Sequence, residues 1–180
     1  MPCPACGASV FTNIMLIKHK EQRVGVFIDV QNLYYSAKNL FQAKVNFGAL
    51  LRDLVAGRKL IRATAYVIRG PQSIDDNFFL ALEHQGFEVK AKELQVFAGG
   101  TKKGDWDVGL VIDAIKMSKN LDVVIIVSGD GDYIPAVEYL QYSGVLVEAA
   151  AFSETASGKL REAVDDFTDI SKNKKKFLIK

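Results

Sequence analysis

The chain has 180 residues, of which 49% are hydrophobic and 24% charged, and its formal net charge is +2. These values are typical of one folded domain with a sizeable core, and they exclude a disordered chain. No apolar stretch is long enough to cross a bilayer and the start lacks the layout of a secretory signal, so we expect a cytoplasmic protein without membrane contact.

Residues 1–21 are predicted to form a leader without regular structure. Cys3 and Cys6 supply only two of the four ligands of a structural zinc site, and His19 is the only other candidate nearby. Completion of half a zinc ribbon by a second subunit, which would give a homodimer, stays open. Met15 also begins a plausible shorter product, so it is open whether residues 1–14 belong to the native protein.

Strand and helix patterns alternate after the leader. Unbroken runs of β-branched and aromatic residues indicate strands that are buried on both faces, and glycines end two of the helical patterns. The predicted strands are Val24–Asp29, Leu60–Ile68, Phe87–Ala91, Val123–Val127 and Val145–Ala150, with Leu94–Phe97 as an optional short partner. The predicted helices are Leu33–Phe41, Phe47–Ala56, Ile74–Gln85, Val108–Met117, Tyr133–Tyr142 and Ser157–Ala163.

This alternation predicts a three-layer α/β/α sandwich with a central, mostly parallel sheet. With the strands numbered along the chain, we expect the order 3-2-1-4-5. The topological switch point, where open sheets of this kind bind ligands, then lies between strands 1 and 4. Asp29 ends strand 1 and Asp130 follows strand 4, so the fold and the acidic residues indicate the same crevice.

Carboxylates brought to one crevice from separate strands repel each other unless a cation lies between them. Asp29 is therefore predicted to be a metal ligand, with Asn32 orienting a water or a phosphate oxygen. The alternative is that Asp29 caps the helix that follows it.

The segment Ser128–Asp132 forms the second acidic cluster, and its glycines allow a sharp turn at the strand tip. Asp130 is the better ligand candidate because it is nearer the strand. Asp132 is expected to cap the following helix and is retained as a further candidate ligand. Ser128 is expected to donate a hydrogen bond to a carboxylate or to the turn.

The third cluster lies between Lys103 and Asp113. Asp105 is expected to cap a helix, and Asp107 to lie in its first turn and face the crevice. Asp113 is six residues further on, about 240° around the helix, so it cannot face the same point squarely. The alternative for Asp113 is a surface pair with Lys116.

The loop before this helix supplies candidate contacts to a ligand that carries phosphates. Lys102 and Lys103 either bind phosphates or are merely solvated. Trp106 either stacks on a base or packs beneath the loop 99–104. Trp106 and Tyr133 are both expected to be exposed beside the site.

Hard oxygen ligands suit Mg²⁺ or Mn²⁺, and such an ion can activate water for in-line displacement at phosphorus. Neither histidine, His19 or His84, offers a clear general base. Hydrolysis of a phosphodiester by metal-activated water does not require one.

Three motifs, Phe27–Leu33, Lys103–Asp113 and Val127–Tyr133, together resemble the signature blocks of the NYN domain family, in particular its LabA-like branch within the PIN-like nuclease superfamily. The resemblance covers about residues 22–170 and implies a PIN-like fold. It also implies that the metal-binding and catalytic set is Asp29, Asp107 and Asp130, with Asn32, Asp113 and Asp132 in supporting positions.

The leading hypothesis is a metal-dependent ribonuclease that acts on single-stranded RNA. The alternative is a non-catalytic RNA-binding or regulatory module that retains the acidic site. A phosphatase is disfavoured because the segment 29–31 lacks the second aspartate of an Asp-x-Asp pattern. The basic tail 171–180 has five lysines and no acid, and it either holds an RNA backbone or is a frayed terminus.

Overall fold

The computed structural model describes residues 18–69, 76–96, 102–103 and 105–179. Within these ranges the strands are β1 (Arg23–Asp29), β2 (Lys44–Val45), β3 (Lys59–Arg69), β4 (Glu88–Glu93), β5 (Gln95–Val96), β6 (Lys102–Lys103), β7 (Val123–Val127), β8 (Leu146–Ala151), β9 (Asp166–Asp169) and β10 (Leu178–Ile179). The helices are α1 (Val30–Phe41), α2 (Phe47–Val55), α3 (Asp76–His84), α4 (Asp107–Ser118), α5 (Ile134–Tyr142), α6 (Gly158–Ala163) and α7 (Lys174–Phe177). Short 3₁₀ turns lie at Gly131–Tyr133 and Ile170–Asn173.

Six of the described strands form one sheet in the order β4-β3-β1-β7-β8-β9, and every neighbouring pair is parallel. The predicted α/β fold, with a central parallel sheet flanked by helices, is confirmed. The predicted order of five strands is correct but incomplete, because β9 adds a sixth strand beside β8. We missed β9 because its four half-buried residues include two aspartates and form no apolar run.

Each face of the sheet is covered by its own layer of helices, and the central strands are buried on both sides. Val26 and Ile28 of β1 belong to a core that includes residues of α1, α2 and α3. Phe27 points to the opposite core, where Leu110 of α4 and Val137 of α5 are also buried. Burial on both faces explains why β1 and β7 read as unbroken apolar runs.

The chain leaves the carboxyl ends of β1 and β7 toward opposite faces of the sheet. After β1, helices α1 and α2 cover one face before β3 pairs with β1. After β7, helix α5 covers the other face before β8 pairs with β7. This divergence leaves a crevice at the predicted switch point.

The basic tail folds back onto the domain instead of fraying. Leu178 of β10 pairs with Val45 of β2 in an antiparallel ladder, and Phe177 is buried in the core. The backbone N–H of Asn46 also donates to the carbonyl oxygen of Phe177, at 2.7 Å.

Residues 1–17, which carry Cys3 and Cys6, lie outside the described residues, as does most of the loop 99–104. Among the helices in the described ranges, none combines the length and apolar character that a membrane crossing requires.

A buried ion pair joins the end of α2 to β8. Arg58 and Glu148 are only 5% and 6% exposed, and they form two hydrogen bonds of 2.6 and 2.9 Å. Arg58 also donates to the carbonyl oxygens of Leu54 and Val55 at the end of α2. Each nitrogen of its guanidinium therefore donates to at least one acceptor in the folded chain.

We expect Glu148→Leu to lower the free energy of unfolding by about 3–5 kcal/mol, because it leaves the Arg58 charge buried without a partner. The double variant Arg58→Met/Glu148→Leu should lose much less of the free energy of unfolding, since both charges are removed together. Urea denaturation of the three proteins measures both effects. A single variant that is as stable as the double variant would contradict this assignment.

Candidate active site

A pocket of about 410 Å³ lies at the carboxyl ends of β1 and β7. Four carboxylates from three separate segments line it: Asp29 at the end of β1, Asp105 and Asp107 at the start of α4, and Asp130 after β7. The other residues that line it are Gln31, Asn32, Tyr35, Ser36, Asn39, Leu40, Tyr66, Ile68, Trp106 and Thr155. The structure thus brings the three aspartates of the expected catalytic set to one pocket.

Asp29 caps a helix and also lines the pocket, two placements that the sequence offered as alternatives. Its Oδ1 accepts a hydrogen bond of 3.0 Å from the backbone N–H of Asn32, so it caps α1. It also lines the pocket. The cap orients the carboxyl group without removing it from the site.

Burial raises the pKa of Asp29 to about 6, although the Asn32 N–H acts in the opposite direction. The negative charges of Asp107 and Asp130 raise this pKa further. Burial also raises the pKa of Asp107, against the Tyr133 hydrogen bond, and the charges of Asp105, Asp130 and Asp132 add to the rise. The acids therefore lie close enough to repel each other.

Asp130 caps the turn after β7, and the expected cap by Asp132 is wrong. Oδ1 of Asp130 accepts a hydrogen bond from the backbone N–H of Asp132, at 3.0 Å, while Oγ of Ser128 accepts from the N–H of Asp130, at 3.2 Å. Helix α5 begins after Tyr133 without a side-chain cap. Asp132 is exposed and does not line the pocket.

Asn32 joins α1 to this turn. Its Oδ1 accepts a hydrogen bond of 3.1 Å from the backbone N–H of Gly129. A Cβ at Gly129 would lie 3.0 Å from the Cα of Ala156, so a larger residue there would require the backbone at Ala156 to shift. Asn32 thereby links the first turn of α1 to the turn that follows β7, a role that the sequence did not predict.

Tyr133 is a site residue that our sequence analysis misplaced on the surface. It is completely buried, and its hydroxyl donates to Oδ1 of Asp107 at 2.8 Å. Burial and the neighbouring charge of Asp29 raise the pKa of Tyr133, so the hydroxyl stays protonated as a donor. Its place directly after the acidic turn was the available signal.

Asp113 lies away from the acidic pocket and pairs elsewhere. Its Oδ2 accepts from Nζ of Lys90 at 2.7 Å and from the hydroxyl of Tyr66 at 2.8 Å. Burial alone would raise the pKa of Asp113, but these hydrogen bonds outweigh it and the pKa falls. Lys116, the alternative partner, also lowers this pKa through its charge, but the ion pair of Asp113 is with Lys90. Asp113 reaches the pocket only through Tyr66.

Trp106 is held in place by packing. Its Nε1 donates to the carbonyl oxygen of Val67 at 2.9 Å, and its ring meets Tyr66 edge to face. A Cβ at Gly109 would lie 2.5 Å from Cε3 of the indole, so only glycine fits there. Trp106 is also the N-cap residue of α4, without a side-chain bond, so the expected cap by Asp105 is wrong.

Lys102 and Lys103 form the short strand β6, which pairs antiparallel with β5. Their side chains lie outside the described part of the structure, and so do contacts between Trp106 and most of the loop 99–104. The RNA-binding role of the two lysines stays a prediction.

The donor set of the pocket fits a divalent cation. In the described ranges, no lysine or arginine forms an ion pair with Asp29, Asp107 or Asp130. The same ranges hold no group of three or more His, Cys, Asp or Glu side chains close enough to enclose a metal ion. Mg²⁺ commonly binds one or two carboxylates together with waters and phosphate oxygens, so it does not require such a cage.

Comparison with known proteins gives consistent matches. The model of the NYN domain matches residues 23–171. The chain is 25% identical to the Low amplitude and bright protein LabA of Synechococcus elongatus over 164 residues, which cover 84% of this chain and 86% of LabA. It also resembles the crystal structure of a protein of unknown function from Vibrio parahaemolyticus, with a TM-score of 0.80, 30% identity, and coverage of 89% of this chain and 98% of that one.

The raised pKa of Asp29 has a consequence for stability. Folding raises it from about 4 in the unfolded chain to about 6, so the folded state binds the proton more tightly. The resulting stabilisation is complete below about pH 4 and is lost as the pH rises through about 6. At neutral pH the ionised Asp29 therefore lowers the free energy of unfolding.

We expect Asp29→Asn to be more stable than the wild type at pH 7.5 by about 1–3 kcal/mol, because asparagine removes the charge and still caps the helix. The difference should vanish near pH 4. Urea denaturation in EDTA at the two pH values measures it. Asp122→Asn is the matched control. Asp122 pairs with Arg23, so removing its charge should not increase the free energy of unfolding. A loss of stability in Asp29→Asn at pH 7.5 would contradict the electrostatic assignment.

Proposed function

Since the chain belongs to the NYN domain family, a class of nuclease-like, RNA-binding domains, we propose that it is a divalent-metal-dependent ribonuclease acting on single-stranded RNA. The observation that carries this proposal is the convergence of Asp29, Asp107 and Asp130 on one pocket without a cationic partner among the described residues. Repulsion between these carboxylates is the condition that a bound cation relieves.

Asp29, Asp107 and Asp130 would hold the ion, for which Mg²⁺ and Mn²⁺ are the candidates. When bound, such an ion supplies positive charge to the phosphodiester and makes the attacking water more acidic. PIN-like nuclease domains commonly use divalent metals, which supports this part of the proposal.

The three carboxylates are oriented before any ligand arrives. The Asn32 N–H holds Asp29, the Tyr133 hydroxyl holds Asp107, and the Asp132 N–H holds Asp130. Each of these donors leaves the carboxylate in the pocket wall. Preorganisation of this kind lowers the reorganisation required when the reaction begins.

Protons and cations compete for the same carboxylates. Because burial and mutual repulsion raise the pKa of Asp29 to about 6, deprotonation of this residue is needed before a cation can bind it fully. The affinity for a divalent ion should therefore rise as the pH passes through about 6. Cleavage that depends on this ion should follow the same trend.

Exposed side chains at the pocket suit a single strand. Tyr35 lines the pocket and remains 53% exposed, and Leu40 beside it is 38% exposed. A base that is free of a duplex can stack on such a ring, whereas a paired base cannot. We propose that Tyr35 contributes this contact.

We expect Asp29→Asn to reduce cleavage of single-stranded RNA by at least about 100-fold, the scale on which one electrostatic stabiliser of a transition state acts. A fluorescence assay on a labelled oligonucleotide, with Mg²⁺ or Mn²⁺ in parallel, measures the rate. EDTA should abolish cleavage and an excess of either ion should restore it.

Asp122→Asn serves again as the control, because it makes the same chemical change in an exposed ion pair with Arg23. Its cleavage rate should match the wild type. Equal cleavage rates for folded Asp29→Asn and Asp122→Asn would contradict a mechanism that depends on the Asp29 carboxylate.

We expect Tyr35→Ala to weaken RNA binding by about tenfold, as loss of one base-stacking contact does, without lowering the melting temperature. Trp106→Ala should lower the melting temperature, because it removes the packing against Tyr66 and the hydrogen bond to Val67. Fluorescence anisotropy and thermal denaturation separate the two effects. Unchanged affinity in Tyr35→Ala would exclude stacking there.

One observation favours the alternative of a non-catalytic RNA-binding module. Within the described residues the acids do not form a closed group of three around a common point. Such a module would bind RNA without cleaving it under any metal condition, and the cleavage assay above distinguishes the two.

A further inference from the structure

Residues 171–176, here called the basic segment, are anchored to the fold at both ends. Ser171 donates its backbone N–H to Oδ1 of Asp169 at 2.9 Å, and the same oxygen accepts the N–H of Ser153 at 3.2 Å. At the other end, Phe177 is 1% exposed and anchors the segment in the core. The backbone that carries the lysines is therefore held at both ends.

Two of the four lysines in the basic segment lack an ion-pair partner among the described residues. Its four lysines are all exposed. Lys176 pairs with Asp53, and Lys174 lies 3.8 Å from a carboxylate oxygen of Glu154. Among the described residues, neither Lys172 nor Lys175 has an ion-pair partner.

The segment also has a concave shape. Residues 171–176 alone line a depression of about 470 Å³. Positively charged groups around such a depression suit an anionic group with several oxygens, such as a phosphate.

The basic segment adjoins the acidic pocket along two stretches of chain. The hydroxyl of Ser171 donates to Glu154, and the next residue, Thr155, lines the acidic pocket. Nζ of Lys174 lies 4.1 Å from the centre of the Phe41 ring, and the preceding residue, Leu40, lines the pocket as well. Phe41 and Glu154, each next in sequence to a residue that lines the acidic pocket, therefore contact the basic segment.

An acidic pocket repels an RNA backbone except where a cation is bound, so the rest of the strand needs positive charge nearby. We propose that the basic segment binds the phosphates of an RNA strand where it leaves the acidic pocket, with Lys172 and Lys175 as the principal contacts. This inference rests on the proposed function, and it adds a binding surface that favours longer RNA.

The test measures RNA binding separately from cleavage. Anisotropy titrations in Ca²⁺ and in EDTA, from low to moderate salt, use a single-stranded oligonucleotide of about 12 nucleotides, within the usual range of single-strand sites. The proteins are the wild type, Lys172→Gln/Lys175→Gln, and the control Lys20→Gln/Lys119→Gln. The control lysines are also exposed and lie just before β1 and β7, at the opposite end of those strands from the pocket.

We expect Lys172→Gln/Lys175→Gln to bind RNA about fivefold to tenfold more weakly at low salt and to lower the salt slope by about 1.4, or about 0.7 for each lost phosphate contact. The control should match the wild type. In the cleavage assay, the same variant should raise KM for this oligonucleotide and leave kcat unchanged.

An unchanged affinity and salt slope in Lys172→Gln/Lys175→Gln would overturn the inference, and cleavage by the same protein would leave the proposed function standing. A third outcome is that the wild type binds RNA without cleaving it and the variant binds RNA more weakly. That result would support the binding surface and contradict the proposed nuclease activity. Loss of binding to anionic lipid vesicles with RNA affinity intact would assign the lysines to a membrane and overturn the inference.

Discussion

The parallel pairing of β1 with β7 is the interaction on which the site depends. Ile28 lies opposite Val127 in this ladder, so the residues that follow the two strands emerge at the same level. The connections then diverge to opposite faces of the sheet, and the gap between them becomes the pocket. Asn32 spans this gap with its bond to Gly129, which links the turn geometry on one strand to the helix on the other.

Some acidic residues of the fold form ion pairs, whereas the pocket aspartates form none with the described residues. Glu148 is buried against Arg58, and Asp113 pairs with Lys90, so a basic side chain neutralises each of these two acids. The pocket aspartates have hydrogen-bond donors that orient them, but no described residue neutralises them. Unbalanced charge of this kind costs stability and is typical of functional sites rather than of structural ion pairs.

The distribution of charge across the surface extends this contrast. The basic segment contacts Phe41 and Glu154, which are next in sequence to residues that line the acidic pocket. A polyanion approaching this face meets repulsion at one position and attraction at the next. Such an arrangement favours a ligand that places one phosphate at a cation in the pocket and others on the lysines.

Much of this architecture could be predicted from the sequence, because strand and helix periods, glycine stops and strand-end acids are local signals. These signals were sufficient to place five strands, the switch point between β1 and β7, and Asp29 and Asp130 at its edges. They did not identify β9, whose short polar segment gains its strand conformation only by pairing with β8. They also misassigned the cap at Asp132 and the exposure of Tyr133, because packing against Asp107 decides the position of that ring.

The partners of Asp113 and the course of residues 171–179 were likewise decided by tertiary structure alone. Lys90 is 23 residues from Asp113 in the chain, and β10 pairs with a strand more than 130 residues earlier. A sequence pattern reports which residues share a face of one helix or strand, but not which distant face will lie against it. The three aspartates Asp29, Asp107 and Asp130 could therefore be picked out from the chain, whereas the partners that orient them and the charges around them required the fold.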